Sequence, residues 1–162
     1  MARINIRPAY PEDTALILRF VRELAEYEKA LAEVVATEEM IEAALFGTDP
    51  RAHALICEQG EEAVGFALYF FNFSTWLGKY GLFVEDLYVS PEYRGHGIGR
   101  TLLRHLAQLA VERDCGRFEW NVLDWNEPAI RFYESCGAVA QEEWVGYRLS
   151  GEALRSFAEA PG

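Results

Sequence analysis

The spacing of apolar residues predicts two kinds of element along the chain. Short runs such as INIRP alternate apolar and polar side chains, which is the pattern of half-buried strands. Longer runs repeat their apolar residues every three or four positions, which is typical of amphipathic helices. The predicted strands are INIRP, AHALICEQ, AVGFALYFFNF, LFVEDLYVS and RFEWNVLD, with one or two more in VAQEEWVGYRL.

The predicted helices lie between these strands and at the end of the chain. They run from Pro11 to about Ala30, from Thr37 to Gly47, from about Ile98 to Arg113, over EPAIRFYES and over the tail GEALRSFAEA. Hairpin-linked strands come first and strand–helix–strand units follow. This order predicts an α+β fold with a mixed, mostly antiparallel central sheet and helices on both faces. No repeat or linker interrupts it, so we expect one domain over residues 1–162.

Composition narrows the classes of partner. The chain of 162 residues carries 26 acidic and 15 basic side chains, a formal charge of -11. This balance disfavours nucleic acid, whose phosphates must be neutralised, and it would attract small cations. No apolar run reaches the roughly 18 residues that span a bilayer, and the N-terminus lacks the apolar stretch of a signal peptide. We therefore expect a cytoplasmic protein with no nucleic-acid or membrane partner.

The cysteines and histidines give no sign of a metal site. Cys57, Cys115 and Cys136 are scattered, and none forms a C-x-x-C pair. The three histidines show no ligand spacing either. We expect reduced thiols and no metal.

The stretch SPEYRGHGIGR, between a predicted strand and a predicted helix, has glycine at every second position from Gly95 to Gly99. It lacks the Gly-Lys-Ser/Thr of a P-loop, and its G-x-G-x-G spacing differs from the dinucleotide fingerprint. A strand, a glycine loop and a helix start bring backbone N–H groups and a positive dipole end to one point. Arg94 and Arg100 would add charge-assisted bonds. The stretch therefore predicts a cradle for a diphosphate.

Two motifs resemble one family. Arg94, Gly97 and Gly99 fit R-x-x-G-x-G, which resembles the acetyl-CoA pyrophosphate loop of the GCN5-related N-acetyltransferases (GNAT). The segment NEPAIRFYESCGA resembles the later N-x-x-A-x-x-x-Y-x-x-x-G-F/A motif of that family. The resemblance covers nearly the whole chain. It implies a GNAT-like fold and acetyl-CoA as co-substrate.

Further segments resemble the spermidine/spermine (diamine) acetyltransferase group, and within it the thialysine Nε-acetyltransferase branch. These segments are ELAEYEK, FSTWLGK, VEDLYVSPEYRGHGIG and VLDWNEPAIRFY. The polyamine branch carries an acidic residue and a proline before the loop tryptophan, whereas Ser74 and Thr75 precede Trp76 here. The group implies a homodimer that acetylates a primary amine of a small cationic molecule: a lysine analogue, a diamine or a polyamine.

The reaction needs a proton acceptor, because an alkyl amine with a pKa near about 10.4 is mostly ammonium at neutral pH. Glu85 is the expected acceptor, directly or through water, and the resemblance supports this position. Asp86 follows it, and adjacent strand residues face opposite sides, so we expect the two carboxylates not to act as a pair. The resemblance implies Tyr133 as the general acid toward the thiolate.

The remaining expected contacts fall into two sets. The expected cofactor-binding residues are Leu87, Tyr88, Val89, Arg94, Gly95, His96, Gly97, Ile98, Gly99, Arg100, Asn126, Pro128, Ala129 and Tyr133. The expected substrate-binding residues are Tyr27, Glu28, Trp76, Glu85 and Asp86. Two alternatives stay open at this point, a non-catalytic acyl-CoA-binding or sensory module and a protein amine acetyltransferase.

Overall fold

The computed structural model describes residues 3–162 and divides the chain into two compact units. The first unit ends at Leu123, and the second is Asp124–Gly162. The strands of the first unit are β1 Ile4–Pro8, β2 His53–Gln59, β3 Glu62–Ser74, β4 Lys79–Val89 and β5 Arg117–Trp120. Its α-helices are α1 Thr14–Tyr27, α2 Glu38–Phe46 and α3 Ile98–Glu112, and short 3-10 turns cover Pro11–Asp13, Leu31–Glu33 and Pro91–Tyr93. The second unit holds α4 Glu127–Ser135 and α5 Gly151–Glu159.

The five strands form one sheet in chain order, β1-β2-β3-β4-β5. The first three pairings are antiparallel, and β4 pairs with β5 in parallel. A parallel pair needs a crossover connection, and α3 supplies it. The mixed, mostly antiparallel sheet predicted from the sequence is confirmed.

Helices cover both faces of this sheet, as predicted. On one face, α1 and α2 bury Ile17, Phe20 and Leu45 against strand residues that include Ile56, Phe66 and Tyr88. On the other face, α3 buries Ile98, Leu102 and Leu106 against Leu82, Val84 and other strand residues. These helical positions are the apolar stripes that the sequence shows. Each amphipathic helix therefore packs its apolar stripe against one face of the sheet.

Strand β4 is irregular near its middle. Tyr69 of β3 pairs with Val84 and the adjacent Leu68 pairs with Asp86, so Glu85 is an extra residue without a partner on β3. This is a β-bulge, which locally bends a strand and redirects its side chains. Strand β5 pairs with β4 only from Gly81 to Val84, so its pairing ends where the bulge begins.

The second unit confirms the two predicted helices but not the final strands. Between α4 and α5 the chain forms turns and irregular segments without strand pairing. The alternation in VAQEEWVGYRL is real, but a strand forms only where a neighbouring strand accepts and donates its hydrogen bonds. Its apolar side chains are exposed; Tyr147, for example, is 97% exposed. Over residues 3–162 no helix is long and apolar enough to cross a membrane.

Candidate active site

The glycine loop between β4 and α3 has two residues in the left-handed region. Gly95 has φ 82° and Gly97 has φ 78°, and Gly97 is the N-cap of α3. Residues other than glycine rarely adopt this backbone conformation, which explains two of the three glycines. Gly97 offers no side-chain oxygen to the first N–H groups of α3, so the loop leads directly into the positive end of a helix dipole.

Gly99 has a different explanation. Its φ is not positive, and a Cβ added there would come no closer to the protein than 3.9 Å, to Cγ2 of Val89. Neither backbone conformation nor packing within the chain requires glycine at this position. A missing side chain beside a helix N-terminus suits the close approach of an anion, which is the requirement that the sequence suggested.

Arg94, the first residue of the R-x-x-G-x-G motif, is engaged with the protein. Its Nε donates to the carbonyl oxygen of Val89 at 2.8 Å. Its guanidinium carbon lies 5.2 Å from the ring centroid of Tyr27 and 5.5 Å from that of Tyr88. Both distances fall within the range of cation–π attraction. The side chain therefore links the loop to β4 and to the end of α1.

The loop end of β4 has one edge that β5 does not occupy. Residues Leu87 to Val89 pair with Ala67 to Gly65 of β3. Within residues 3–162, the strand on the other side of β4 pairs only as far as Val84. An open strand edge next to an anion cradle is suited to an extended ligand that adds to the sheet through main-chain hydrogen bonds.

The bulge alters the expected separation of the two carboxylates. Asp86 lies two residues before Tyr88 in regular pairing, so it shares the face that α1 covers. Burial raises the pKa of Asp86 and that of Glu28, the C-cap of α1, and the charge of Glu85, the extra residue, raises both further. Strict alternation fails at a bulge, so adjacency in the sequence no longer places Glu85 and Asp86 on opposite faces. The charges of Glu85 and Glu28 both act on Asp86, and that of Glu85 acts on Glu28, so the three carboxylates form one electrostatic cluster.

This carboxylate cluster, Glu28, Glu85 and Asp86, has unusual proton affinity. Burial, Glu85 and then Glu28 raise the pKa of Asp86 to about 7. Burial and then Glu85 raise the pKa of Glu28. Loss of water and repulsion between like charges both disfavour ionisation. A cationic ligand in this cluster would relieve the repulsion.

Helix α1 ends in a Schellman motif with lysine in the usual glycine position. The N–H of Ala30 donates to the carbonyl of Ala25 at 2.8 Å, and the N–H of Lys29 donates to that of Glu26 at 3.0 Å. Lys29 has φ 61°, a left-handed conformation that costs a non-glycine residue about 1 kcal/mol or more. Tyr27 and Glu28 stand immediately before this residue.

Trp76 lies apart from the carboxylate cluster. It sits in the turn between β3 and β4 and is 79% exposed, with the guanidinium carbon of Arg117 at 6.0 Å from its ring. From Lys79, the first residue of β4, to Glu85 the strand advances about 20 Å at a rise of roughly 3.4 Å per residue. Trp76 is therefore distant from Glu85.

The second unit carries the later motif on α4. Asn126 is the N-cap, is buried, and accepts a hydrogen bond from the N–H of Ala129 at 3.4 Å. Pro128 lies in the first turn, where its missing N–H costs nothing. Tyr133 is half-buried on the same helix, with its ring centroid 5.4 Å from that of Phe132. The motif asparagine thus has a structural role as the cap of the helix that carries Tyr133.

Comparison with known families supports the interpretation of both motifs. The model of the Acetyltransferase (GNAT) family matches residues 18–138. The match spans most of α1, strands β2 to β5, the glycine loop and α4. The chain belongs to the GNAT acetyltransferase family. GNAT acetyltransferases use acetyl-CoA as co-substrate, which accounts for a diphosphate cradle beside an open strand edge.

Relatives of this GNAT chain include well-matched enzymes. It is 42% identical to the thialysine N-epsilon-acetyltransferase of Sus scrofa, over 98% of this chain and 99% of that protein. It is 35% identical to the spermidine/spermine N(1)-acetyltransferase-like protein 1 of Homo sapiens, over 98% of this chain but 24% of that longer protein. The chain is an acetyltransferase.

A solved structure shares the fold at full length. The integron cassette protein VCH_CASS6 from the mobile metagenome of V. cholerae is 28% identical, with a TM-score of 0.81 over 99% of both chains. The GNAT-like fold predicted from the sequence is confirmed.

Two features of this GNAT site escaped the sequence interpretation. The bulge has a signal: Leu82 and Val84 are in phase with each other and out of phase with Leu87 and Val89, although all four face the same core. A shift of phase in one strand indicates an inserted residue. The contact between Arg94 and Tyr27 has no such signal, because the two residues are far apart in sequence.

Proposed function

We propose that this acetyltransferase transfers the acetyl group of acetyl-CoA to a primary amine of a small cationic molecule. Lysine analogues such as thialysine are the first candidates, because the relative that matches at 42% identity over its full length carries that name. The observation that carries the proposal is the β4 bulge, which gathers Glu28, Glu85 and Asp86 next to the open edge that leads to the glycine loop. A cation and an acyl-CoA would thus meet along one strand.

The loop and the edge hold acetyl-CoA in this proposal. The backbone of Gly95 to Gly99, with His96 and Ile98, and the side chains of Arg94 and Arg100 receive the diphosphate. The edge of Leu87 to Val89 pairs with the pantetheine arm, and its N–H groups polarise the thioester carbonyl. The open space at Gly99 supports this placement. Asn126, Pro128 and Ala129 of α4 complete the proposed set.

The carboxylate cluster receives the amine. Negative charge favours the ammonium form, so the cluster binds the cation but opposes its deprotonation. One group must therefore accept a proton, and we assign this role to Glu85, which is more exposed than Asp86. Asp86 and Glu28 hold the cation, and Tyr27 borders it.

Acetyl transfer balances two proton movements. The amine nitrogen forms a bond to the acetyl carbon, and the carbon–sulfur bond breaks. Of the two protons that the ammonium loses, one leaves through Glu85 and the other replaces the proton that Tyr133 gives to the sulfur. The products are the acetylated amine, CoA thiol and one proton. Tyr133 suits this step because a phenol is a competent acid toward a thiolate.

A thiol-release assay tests the proposal. The purified protein is mixed with acetyl-CoA and, in turn, thialysine, lysine, ornithine, putrescine, spermidine, spermine and a lysine-containing peptide. We expect CoA thiol with the small amines, and we expect Tyr133→Phe to lower kcat by 100-fold or more, at about the scale of general acid catalysis, with acetyl-CoA affinity little changed. Release with the peptide alone would favour a protein acetyltransferase. CoA binding without release for any amine would favour a non-catalytic module.

We also propose a homodimer in the cytoplasm. The segment between α4 and α5 exposes apolar side chains that a second copy would cover, namely Val139, Trp144, Val145, Tyr147 and Leu149. The three cysteines are free thiols, which suits a reducing compartment. Light scattering during size-exclusion chromatography tests the dimer, and a monomeric mass at micromolar concentration would reject it.

A further inference from the structure

Three segments of the first unit meet at one side chain. Arg94 follows the 3-10 turn Pro91–Tyr93, its Nε donates to the carbonyl of Val89 at 2.8 Å, and its guanidinium contacts the rings of Tyr27 and Tyr88. The three segments are the glycine loop, the end of β4 and the end of α1. A planar guanidinium can satisfy a hydrogen bond in its plane and contact a ring above it at the same time, which an ammonium cannot do as well. We call Arg94, Tyr27 and Tyr88 the aromatic clamp.

Tyr88 is the fixed wall of the clamp. It is 5% exposed, and its hydroxyl donates to Oε1 of Glu23 at 2.8 Å. Its ring centroid lies 5.7 Å from that of Phe20. Both partners are on α1, so Tyr88 already binds the helix to β4 at two points, and Glu23 is held in turn by Arg19 at 3.3 Å.

Tyr27 is the adjustable wall. It is the last residue of α1, its side chain is partly exposed, and the left-handed Lys29 follows two residues later. A strained residue persists where its surroundings hold it. Glu28 lies between these two residues and is one of the carboxylates whose pKa Glu85 raises. Whatever fixes Tyr27 therefore also fixes the position of Glu28 in the carboxylate cluster.

We infer that Arg94 is a positioning residue for the amine: its guanidinium holds Tyr27, and with it Glu28, against the loop end of β4. The motif arginine thus serves the amine side of the reaction in addition to the acyl-CoA side. This inference rests on the proposed function, because it assigns Glu28 to the amine.

A double-mutant cycle at saturating acetyl-CoA tests the role in amine binding. We expect Tyr27→Leu and Arg94→Ala each to raise the amine KM about five-fold, the scale of one cation–π contact, and the double variant to raise it little further. Tyr27→Phe keeps the ring and should raise the amine KM less than Tyr27→Leu does. Arg94→Lys keeps the positive charge but loses the planar guanidinium, so its amine KM should be close to that of Arg94→Ala.

A matched cycle supplies the control. Arg100 lies in the first turn of α3, beside the same cradle, so Arg100→Ala also removes one positive charge from the cradle. The fold-increases in amine KM caused by Arg100→Ala and by Tyr27→Leu should multiply in the double variant, since Arg100 is not part of the aromatic clamp. If the increase in amine KM caused by Tyr27→Leu multiplies as fully with that of Arg94→Ala as with that of Arg100→Ala, the inference is overturned.

Hydrogen exchange gives a readout that does not need turnover. Amides of residues 26–30 should exchange several-fold faster in Arg94→Ala than in the wild type, with the thermal midpoint monitored in parallel, and unchanged exchange would overturn the clamp. A wild-type protein that releases no thiol with any amine would instead reject the proposed function. Faster exchange with an unchanged amine KM would leave the proposed function standing and reject the positioning role.

Discussion

The two ends of β4 follow different rules. From Lys79 to Val84 the strand pairs with β3, from Gly81 to Val84 it also pairs with β5, and its side chains alternate regularly. From Glu85 to Val89 it carries a bulge, loses its β5 neighbour, gathers carboxylates and leads into the glycine loop. One strand thus provides both the regular frame and the proposed site. Regular pairing holds the frame, and its interruption leaves polar main-chain groups and carboxylates available for a ligand.

The largest difference between the two ends should appear in catalysis. Glu85→Gln removes the proposed proton acceptor at the bulge, and we expect kcat to fall about 100- to 10,000-fold. Glu119→Gln on β5, opposite Phe83 in the regular half, makes the same chemical change and should leave kcat nearly unchanged. Steady-state kinetics at saturating substrates measure both. A larger loss in Asp86→Asn than in Glu85→Gln would transfer the acceptor role to Asp86.

Substitutions at two glycines allow the contributions of the two ends of β4 to protein stability to be compared. A Cβ at Gly65 would meet the carbonyl oxygen of Tyr88 at 2.5 Å, so Gly65→Ala must displace the backbone at the loop end. We expect it to cost about 1–3 kcal/mol and to lower Tm by roughly 2–4 °C per kcal/mol. At the turn end, a Cβ at Gly81 first meets Oδ1 of Asn72, which can rotate away. Gly81→Ala should cost less, and equal losses by calorimetry would contradict the comparison.

The pH dependence of stability should come from the bulged end. The pKa of Asp86 is raised to about 7, so its contribution to stability is complete below its ordinary pKa and is lost as pH rises through about 7. Between pH 5 and pH 8 this loss is on the order of 2 kcal/mol. Asp86→Asn should remove most of it in urea unfolding at the two pH values. An equally steep loss in the variant would assign the effect to other groups.

The smallest effect is expected at the turn. Trp76 lies beyond the regular end of β4, about 20 Å along the strand from Glu85. Trp76→Ala should therefore change the amine KM by less than about two-fold, whereas Glu28→Gln should raise it about ten-fold by removing a carboxylate from the cluster. Amine titrations at fixed acetyl-CoA compare the two. A large effect of Trp76→Ala would return this residue to the amine pocket.

Much of the fold follows from local patterns in the sequence. The stripe of Leu102, Leu103 and Leu106 and the cap Thr37 mark their helices correctly, because these signals act within one turn of the chain. The final strands were predicted wrongly for the opposite reason. A strand depends on a neighbour that alternation in one segment cannot reveal.

The candidate site also has parts that the sequence predicts and parts that it does not. The glycine loop is visible in the sequence because positive φ and close approach both demand glycine. The meeting of Glu28 with Glu85 and Asp86 was hidden, since it depends on a one-residue insertion in β4 and on where α1 ends. The phase shift between Val84 and Leu87 was the one sequence clue to it.

The open edge of β4 has a consequence for handling the protein. A row of N–H and C=O groups without a neighbouring strand also invites pairing with another chain, which is how edge strands promote aggregation. An acyl-CoA arm along Leu87 to Val89 would occupy the same groups. Preparations stripped of acetyl-CoA should therefore become turbid sooner on concentration than preparations saturated with it, and the co-substrate would act as a solubility factor during purification and storage.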